Sequence, residues 1–311
     1  MRNTGTGYPG MLVIVFNLAS HWLGPPRGRR TAFVAVALTA LLVPAHAAFA
    51  ATLELARTIQ TSPFTGTSVS MGDNEGSAFV LSDDSLWLAD DGKKRIYEVD
   101  PATGELKRKI GRTAFNNASQ VGGGPPAGKE RTNDFEAMAY DRTNDVLYVF
   151  SGPCCNSSIR ATAFRLTRQS GTFQVESYQP LPTGADYTGA AWSPTDGKIY
   201  VGKGREVRSF DYVSGTASAS FHVGVRGITG MDFSPDGADL FVTLNSERLI
   251  RIDWSTRTVV SGWTFDLTPF GILDSRAVAK IGDQFFVNDG YDSRASGDPL
   301  RHAVFVFDAG G

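Results

Sequence analysis

Asn133-Asp134-Phe135-Glu136-Ala137-Met138-Ala139-Tyr140 opens on polar residues, passes through a small one and ends apolar. The same progression returns as Asp73-Asn74-Glu75-Gly76-Ser77-Ala78-Phe79 and as Asp186-Tyr187-Thr188-Gly189-Ala190-Ala191-Trp192. Gly227-Ile228-Thr229-Gly230-Met231-Asp232-Phe233 and Asp274-Ser275-Arg276-Ala277-Val278-Ala279 complete a set of five. In four of them an Asp precedes Glu, Thr or Arg by two positions. A phrase repeated at intervals of roughly 40–60 residues is the mark of stacked, similar units.

Each entry leads into the same succession of strands and turns. Short β-rich runs begin near 77–81, 137–140, 190–192, 231–233 and 277–281, and each meets a polar turn such as Ser193-Pro194-Thr195-Asp196-Gly197 or Ser234-Pro235-Asp236-Gly237. Such residues favour tight turns for backbone reasons. Second strands are expected at 86–89, 146–150, 198–201, 240–243 and 284–287, and third strands at 95–99, 162–166, 206–212, 249–254 and 302–308. Four units add a fourth strand, at 106–110, 173–178, 217–223 and 259–267. The fifth ends after three, while 53–59 is an orphan strand at the other end. No helical periodicity appears in this part of the chain.

A four-stranded unit cannot bury both its faces alone, so such units stack around an axis. The pattern therefore predicts an all-β fold, a β-propeller of five four-stranded blades with the ring closed by the N-terminal strand. Six blades is the alternative, if residues 111–133 hide irregular strands. That segment contains Gly122-Gly123-Gly124-Pro125-Pro126 and reads as a long loop.

Residues 1–50 read as a signal peptide with an N-terminal extension, and 51–311 as the propeller domain. The leader has four arginines and no acid, then an uncharged apolar run over 31–50 closed by Ala45-His46-Ala47 and Ala48-Phe49-Ala50. A basic region, an apolar region and a small-residue site direct secretion. The expectation is a protein outside the cell or in its envelope, with no stable membrane span after cleavage. Without those arginines the chain keeps 26 basic against 32 acidic residues, a net charge of −6. That balance argues against nucleic-acid binding. The only cysteines, Cys154 and Cys155, are neighbours. In an oxidising compartment they are expected to bridge each other, and the alternative is two free thiols.

Antiparallel order puts the five entries and the unusual segments (111–133, the Cys154-Cys155 loop and 289–301) on one face. Loops held by a rigid scaffold are where binding and catalysis concentrate. At the axis the entries present Glu75, Glu136, Thr188, Thr229 and Arg276. Asp73, Asp134, Asp186 and Asp274 stand beside them, and second-strand ends add Asp90, Asp91, Asn288 and Asp289. Glu75, Asp134, Glu136, Asp186, Arg276 and Asn288 are the expected ligand-binding residues. Converging oxygens suit a hard cation such as Ca²⁺, with Glu75, Glu136 and Asp289 as its expected ligands. Glu75 with Glu136, or Glu136 with Asp289, are candidate acid–base pairs. Each Asp capping its own turn is the competing explanation. No Ser-His-Asp arrangement, zinc spacing or phosphate-cradling glycine motif is legible.

Ser234-Pro235-Asp236-Gly237-Ala238-Asp239-Leu240-Phe241-Val242 and Val99-Asp100-Pro101-Ala102-Thr103-Gly104-Glu105 resemble phrases of the NHL/YVTN class of bacterial propellers. More narrowly, residues 133–141 resemble the D-[LF]-E-G-[IM]-x-Y-D phrase of SdiA-regulated-like exported propellers, with Ala137 in place of Gly. That resemblance implies a small exported propeller with bound calcium. Glu75-Gly76 followed by Leu86-Trp87-Leu88-Ala89-Asp90 also resembles the first blade of gluconolactonase-type enzymes, which implies Glu75 as a metal ligand. The Asn that such enzymes carry at a later entry is missing, since Ile228-Thr229-Gly230 stands there.

Three functions are expected from these observations. The first is an exported propeller that binds a small molecule or extracellular ligand, with or without Ca²⁺, on its loop-rich face. The second is a metal-dependent hydrolase of lactonase or phosphoesterase kind in the central channel, with Glu136 and Asp289 catalytic. The third is a protein-interaction scaffold.

Overall fold

The structure, a computed structural model, describes residues 51–153, 161–182 and 184–310. The leader and the Cys154–Cys155 pair lie outside those residues. The first strand, β1 (Thr52–Ile59), is followed by β2 (Asn74–Val80), β3 (Ser85–Asp90), β4 (Arg95–Val99) and β5 (Leu106–Ile110). After a short helix α1 (Arg112–Asn116) and β6 (Ser119–Gln120) come β7 (Phe135–Asp141), β8 (Val146–Ser151), β9 (Thr162–Gln169) and β10 (Thr172–Pro180). The third group is β11 (Gly189–Ser193), β12 (Lys198–Lys203), β13 (Glu206–Asp211), β14 (Thr216–Ala217) and β15 (Phe221–His222). The fourth is β16 (Ile228–Phe233), β17 (Asp239–Leu244), β18 (Arg248–Asp253) and β19 (Thr258–Asp266), and the chain ends with β20 (Ser275–Ile281), β21 (Gln284–Asp289) and β22 (Val304–Gly310).

These form five sheets, one per predicted unit. The innermost strands touch in cyclic order, β2 to β7 to β11 to β16 to β20 and back to β2. The result is a five-bladed β-propeller. β1 is the outer strand of the fifth sheet and pairs antiparallel with β22, Leu53 opposite Ala309 and Ile59 opposite Val304. The ring is thus closed by the two ends of the described chain. No helix among the described residues is long and apolar enough to cross a membrane.

Both faces of each blade are buried, against different neighbours. Along β3, Leu86 and Leu88 pack toward the fifth blade with Phe286 and Val304, whereas Trp87 and Ala89 pack toward the second with Leu147 and Phe173. Alternate side chains of a strand point to opposite faces, so one strand serves two cores. Five such cores sit between the five pairs of neighbouring blades. This is why the inner strands read as continuous apolar runs.

Three details differ from the sequence reading. Residues 111–133 are not wholly irregular: β6 pairs parallel with β10 through Ser119–Ser177 and Gln120–Tyr178, adding a fifth strand to the second blade. A two-residue strand without apolar alternation leaves no pattern to detect. The single outer strand expected at 217–223 is split into β14 and β15. Ser218 takes the ladder's place there, its Oγ accepting the Ser209 N–H at 3.0 Å. His302 does not begin β22. It lies before that strand in the left-handed region, φ 57°, wholly buried, with its carbonyl accepting from Thr61 Oγ1 at 2.5 Å and Asn74 Nδ2 at 2.9 Å.

The recurring Gly or Ala of each entry has a packing cause. A Cβ on Gly230 would lie 2.4 Å from Ala277 Cα, and one on Gly76 would lie 3.0 Å from Ala137 Cα. The inner strands approach one another most closely there. Gly230→Ala is expected to lower stability by about 1–3 kcal/mol, the usual cost of overpacking, measured by urea unfolding. Gly282→Ala, where an added Cβ meets nothing within 4 Å but φ is 52°, gives the backbone-strain control.

Candidate functional site

The ring residues owe their direction to a defect in pairing. In β2, Asn74 pairs with Asp90 and Gly76 with Ala89, so Glu75 is left over. The same shift omits Glu136 in β7, Thr229 in β16 and Arg276 in β20. A β-bulge places two residues opposite one and re-aims a side chain. Thr188 holds the equivalent place just before β11, its N–H donating to Gly202 O at 3.1 Å.

Each bulge is latched by the segment after the second strand. Asp91 N–H donates to Asp73 O at 3.1 Å, Gly152 to Asp134 O at 2.6 Å, Asn245 to Gly227 O at 2.8 Å and Gly290 to Asp274 O at 2.9 Å. Side chains at the ends of second strands add to this. Asp90 accepts the N–H groups of Gly72, Asp73 and Lys93 at 2.9–3.1 Å, and Tyr97 Oη donates to it at 3.1 Å. Asp289 is its counterpart in the fifth blade. It accepts from Leu273 and Asp274 N–H at 3.3 and 3.0 Å and pairs with Arg294 at 2.8 Å, while fully buried. Its oxygens are taken up in holding the entry loop, which accounts for its place apart from the other acids. Asn288 is buried as well: its Nδ2 donates to Asn74 Oδ1 at 2.7 Å and Gly76 O at 3.2 Å, joining the last blade to the first.

A trio of acids does converge. Carboxylate oxygens of Asp134, Glu136 and Asp186 lie within 4.8 Å of one another. Gly152 makes this approach possible, because a Cβ there would stand 2.8 Å from both Asp134 Oδ2 and Asp186 Oδ1. Burial, then the charge of Asp134, pushes the Glu136 carboxyl up to about 9. Burial, then Asp91, raises Asp134 to about 6. Glu75 is buried and also held well above the usual carboxylate range by burial, a rise that Arg276 opposes. Asp73 rises to about 7 through burial and the charge of Asp292.

Arg276 is the cation of the ring. Its Nη1 is 3.1 Å from Glu75 Oε2 and its Nη2 is 2.7 Å from Asp274 Oδ2. Glu75 is thus engaged with Arg276 beside the trio rather than within it. Lys203 Nζ, 2.7 Å from Asp186 Oδ2, covers the trio from blade three. Gly152 and Lys203 were not singled out from sequence. Their signal was positional: both follow or end a second strand, where loops fold over the entries. Further along the axis, a cavity of about 10 Å³ lined by Met138, Trp192, Met231 and Asp232 leaves room for about one water.

Two aromatic residues of the entries sit differently. Phe135 is fully buried, edge-on to Phe115 at 4.7 Å, and is core. Tyr187 packs on Phe150 and lines a cavity beside Asp186.

No protein-family model and no curated protein matches the sequence. Solved structures do. The chain is similar to glutaminyl cyclase of Myxococcus xanthus, with a TM-score of 0.55 and 12% identity over 83% of this chain and 97% of that one. It is also similar to a luciferin-regenerating enzyme, with a TM-score of 0.50 and 15% identity over 84% and 95% of the two chains. At these identities the likeness is one of fold.

Stability should record the crowding. Glu136 keeps its proton in the folded protein up to about 9, whereas an unperturbed Glu has lost it above about 4.5. The unfolded chain then binds fewer protons, so stability falls as pH rises between those values. Melting of the purified protein in EDTA is expected to drop across pH 5–9, and Glu136→Gln to flatten that slope and raise melting at pH 8 by a few degrees. An unchanged slope would exclude Glu136 as its source.

Proposed function

We propose that this protein is an exported propeller that holds a divalent cation at its axis and binds a ligand on the same face. Asp134, Glu136 and Asp186 would hold the cation. The observation that carries this reading is their convergence within 4.8 Å around a glycine that could not be any larger residue without displacing them. Three carboxylates so placed either share protons or accept a cation, since like charges this close cannot all stay ionised unpaired. Hard oxygen donors select Ca²⁺ or Mg²⁺ over soft metals, and a flexible set with room for further oxygens suits Ca²⁺. Asp73 Oδ1 and Thr229 Oγ1 are buried without a hydrogen-bond partner among the described residues, so the entries retain unused oxygen donors. The basic, then apolar leader supports export.

Bound there, a cation would polarise a ligand oxygen and neutralise the trio. The protein's own part is to fix Glu136 on its bulge with Asp134 and Asp186 beside it, and to offer Lys203 at the rim. One observation favours a hydrolytic variant of the same reading. Glu136 and Asp134 are neighbours whose environments separate their proton affinities, about 9 against about 6. Such a division supplies a general acid beside a base. In that variant Asp134 and Glu136, rather than Asp289, form the pair.

Calorimetric titration of Ca²⁺ into the purified protein tests the reading. Binding on the order of 10⁻⁴ M or tighter, typical of extracellular sites, is expected. Asp134→Asn and Asp186→Asn should each weaken it about tenfold or more, whereas Asp289→Asn should lower stability and leave the affinity unchanged. No heat of binding, or loss of affinity only in Asp289→Asn, would overturn it.

A further inference from the structure

Blade three carries a cavity of about 240 Å³ that shares Asp186 with the carboxylate trio. Tyr187 and Val201 form apolar wall, and Lys203, Glu206 and Arg208 supply charge. Whatever fills this cavity therefore lies against the axial site. A cavity of about 150 Å³ lined by apolar groups can take up benzene. This one has room for a six-membered ring with a polar substituent.

Its free polar capacity is that of a donor set. Tyr187 is only 7% exposed and lines the cavity, with Arg208 near enough to act on its hydroxyl. Lys203 Nζ is 2.7 Å from Asp186 Oδ2, and Arg208 Nη2 is 2.8 Å from Glu206 Oε2. Both pairs are partly exposed, and such pairs are weak and easily exchanged. Asp186 is the one shared element. If a cation takes up its charge, the Lys203 ammonium loses its partner and becomes available to the cavity. A phenol, an ammonium and a guanidinium lining one cavity match a carboxylate, which accepts several charge-assisted bonds at once.

We propose that this cavity is the ligand's subsite, and that the ligand is a small organic anion: a ring-sized body carrying a carboxylate that Lys203, Arg208 and the Tyr187 hydroxyl receive. The proposal deepens the cation-site reading and rests on it, because the cation frees Lys203. Selection is by charge. A neutral analogue of the same shape leaves Lys203 and Arg208 with their own carboxylates and gains only the apolar contact.

Benzoate and benzyl alcohol serve as probes of equal bulk and different charge. Each is titrated calorimetrically into the purified protein with and without saturating Ca²⁺, after a direct Ca²⁺ titration. Benzoate is expected to bind at least about tenfold more tightly than benzyl alcohol, the size of one charge-assisted hydrogen bond. Ca²⁺ should increase that preference. Lys203→Met should remove it, Lys203→Arg should restore most of it, and neither should weaken Ca²⁺ binding. Tyr187→Phe should reduce benzoate affinity alone. Equal binding of the two probes, or a preference untouched by Lys203→Met, would overturn the subsite. Absence of Ca²⁺ binding would remove the cation site separately. In that case a preference for benzoate that still depends on Lys203 supports the subsite, and its loss overturns it.

Discussion

Everything at the axis depends on one extra residue per blade. Five inner strands meet where Gly230 backs onto Ala277 and Gly76 onto Ala137, with no space for larger side chains. A strand in regular register would have to send its next side chain into a neighbour or into its own blade's core. The bulge resolves this by leaving Glu75, Glu136, Thr229 and Arg276 out of the ladder and turning them into the open end of the channel. Bulges next to sites are devices of this kind. The small residue and the polar one are thus two halves of a single requirement: the first lets the strands close, the second occupies the opening they leave.

Holding such a bulge needs hydrogen bonds, and here the fold uses some of its acids. Asp90 and Asp289 gather backbone N–H groups of the entry loops and are buried among them. Asp134 and Glu136 are not occupied in this way, and for that reason they remain chemically available. Identical residue types only a few positions from the axis therefore sit in opposite environments. Backbone donors decide which is which, because a carboxylate that accepts two or three N–H bonds has few lone pairs left for a ligand.

This distinction marks the limit of what the sequence could show. The small-residue entries, the Asp two places before the ring residue, and the strand missing from the last unit all had a periodic or arithmetical trace, and they led to five blades closed by β1. The repeat put Asp134, Glu136 and Asp186 at the axis but did not single them out as the acids whose oxygens converge. Asp289 looked like the same kind of acid as Asp134, since nothing in a linear pattern reveals which N–H groups point at a carboxylate. Gly152 and Lys203 had no periodic trace. A glycine at the end of a strand is ordinary until the two oxygens it makes room for are seen. β6 and the break between β14 and β15 were invisible because two-residue strands carry no alternation.

The ring is chemically uneven, and the unevenness decides where its negative charge lies. Arg276 draws Glu75 and Asp274 toward blades five and one, where positive and negative groups balance locally. Blades two and three have no guanidinium among the trio; Lys203 touches it only from the rim and is half exposed. The negative charge is therefore least compensated around Asp134 and Glu136, while Asp186, paired with Lys203, also lines the 240 Å³ cavity. Buried like charges hold protons or cations far more strongly than exposed ones, so the same imbalance that would draw a cation would also set which blade the proposed ligand meets. A symmetric ring of five entries could not make that choice. Thr188 and Thr229 in place of further acids, and Arg276 in place of a third glutamate, are what break the symmetry.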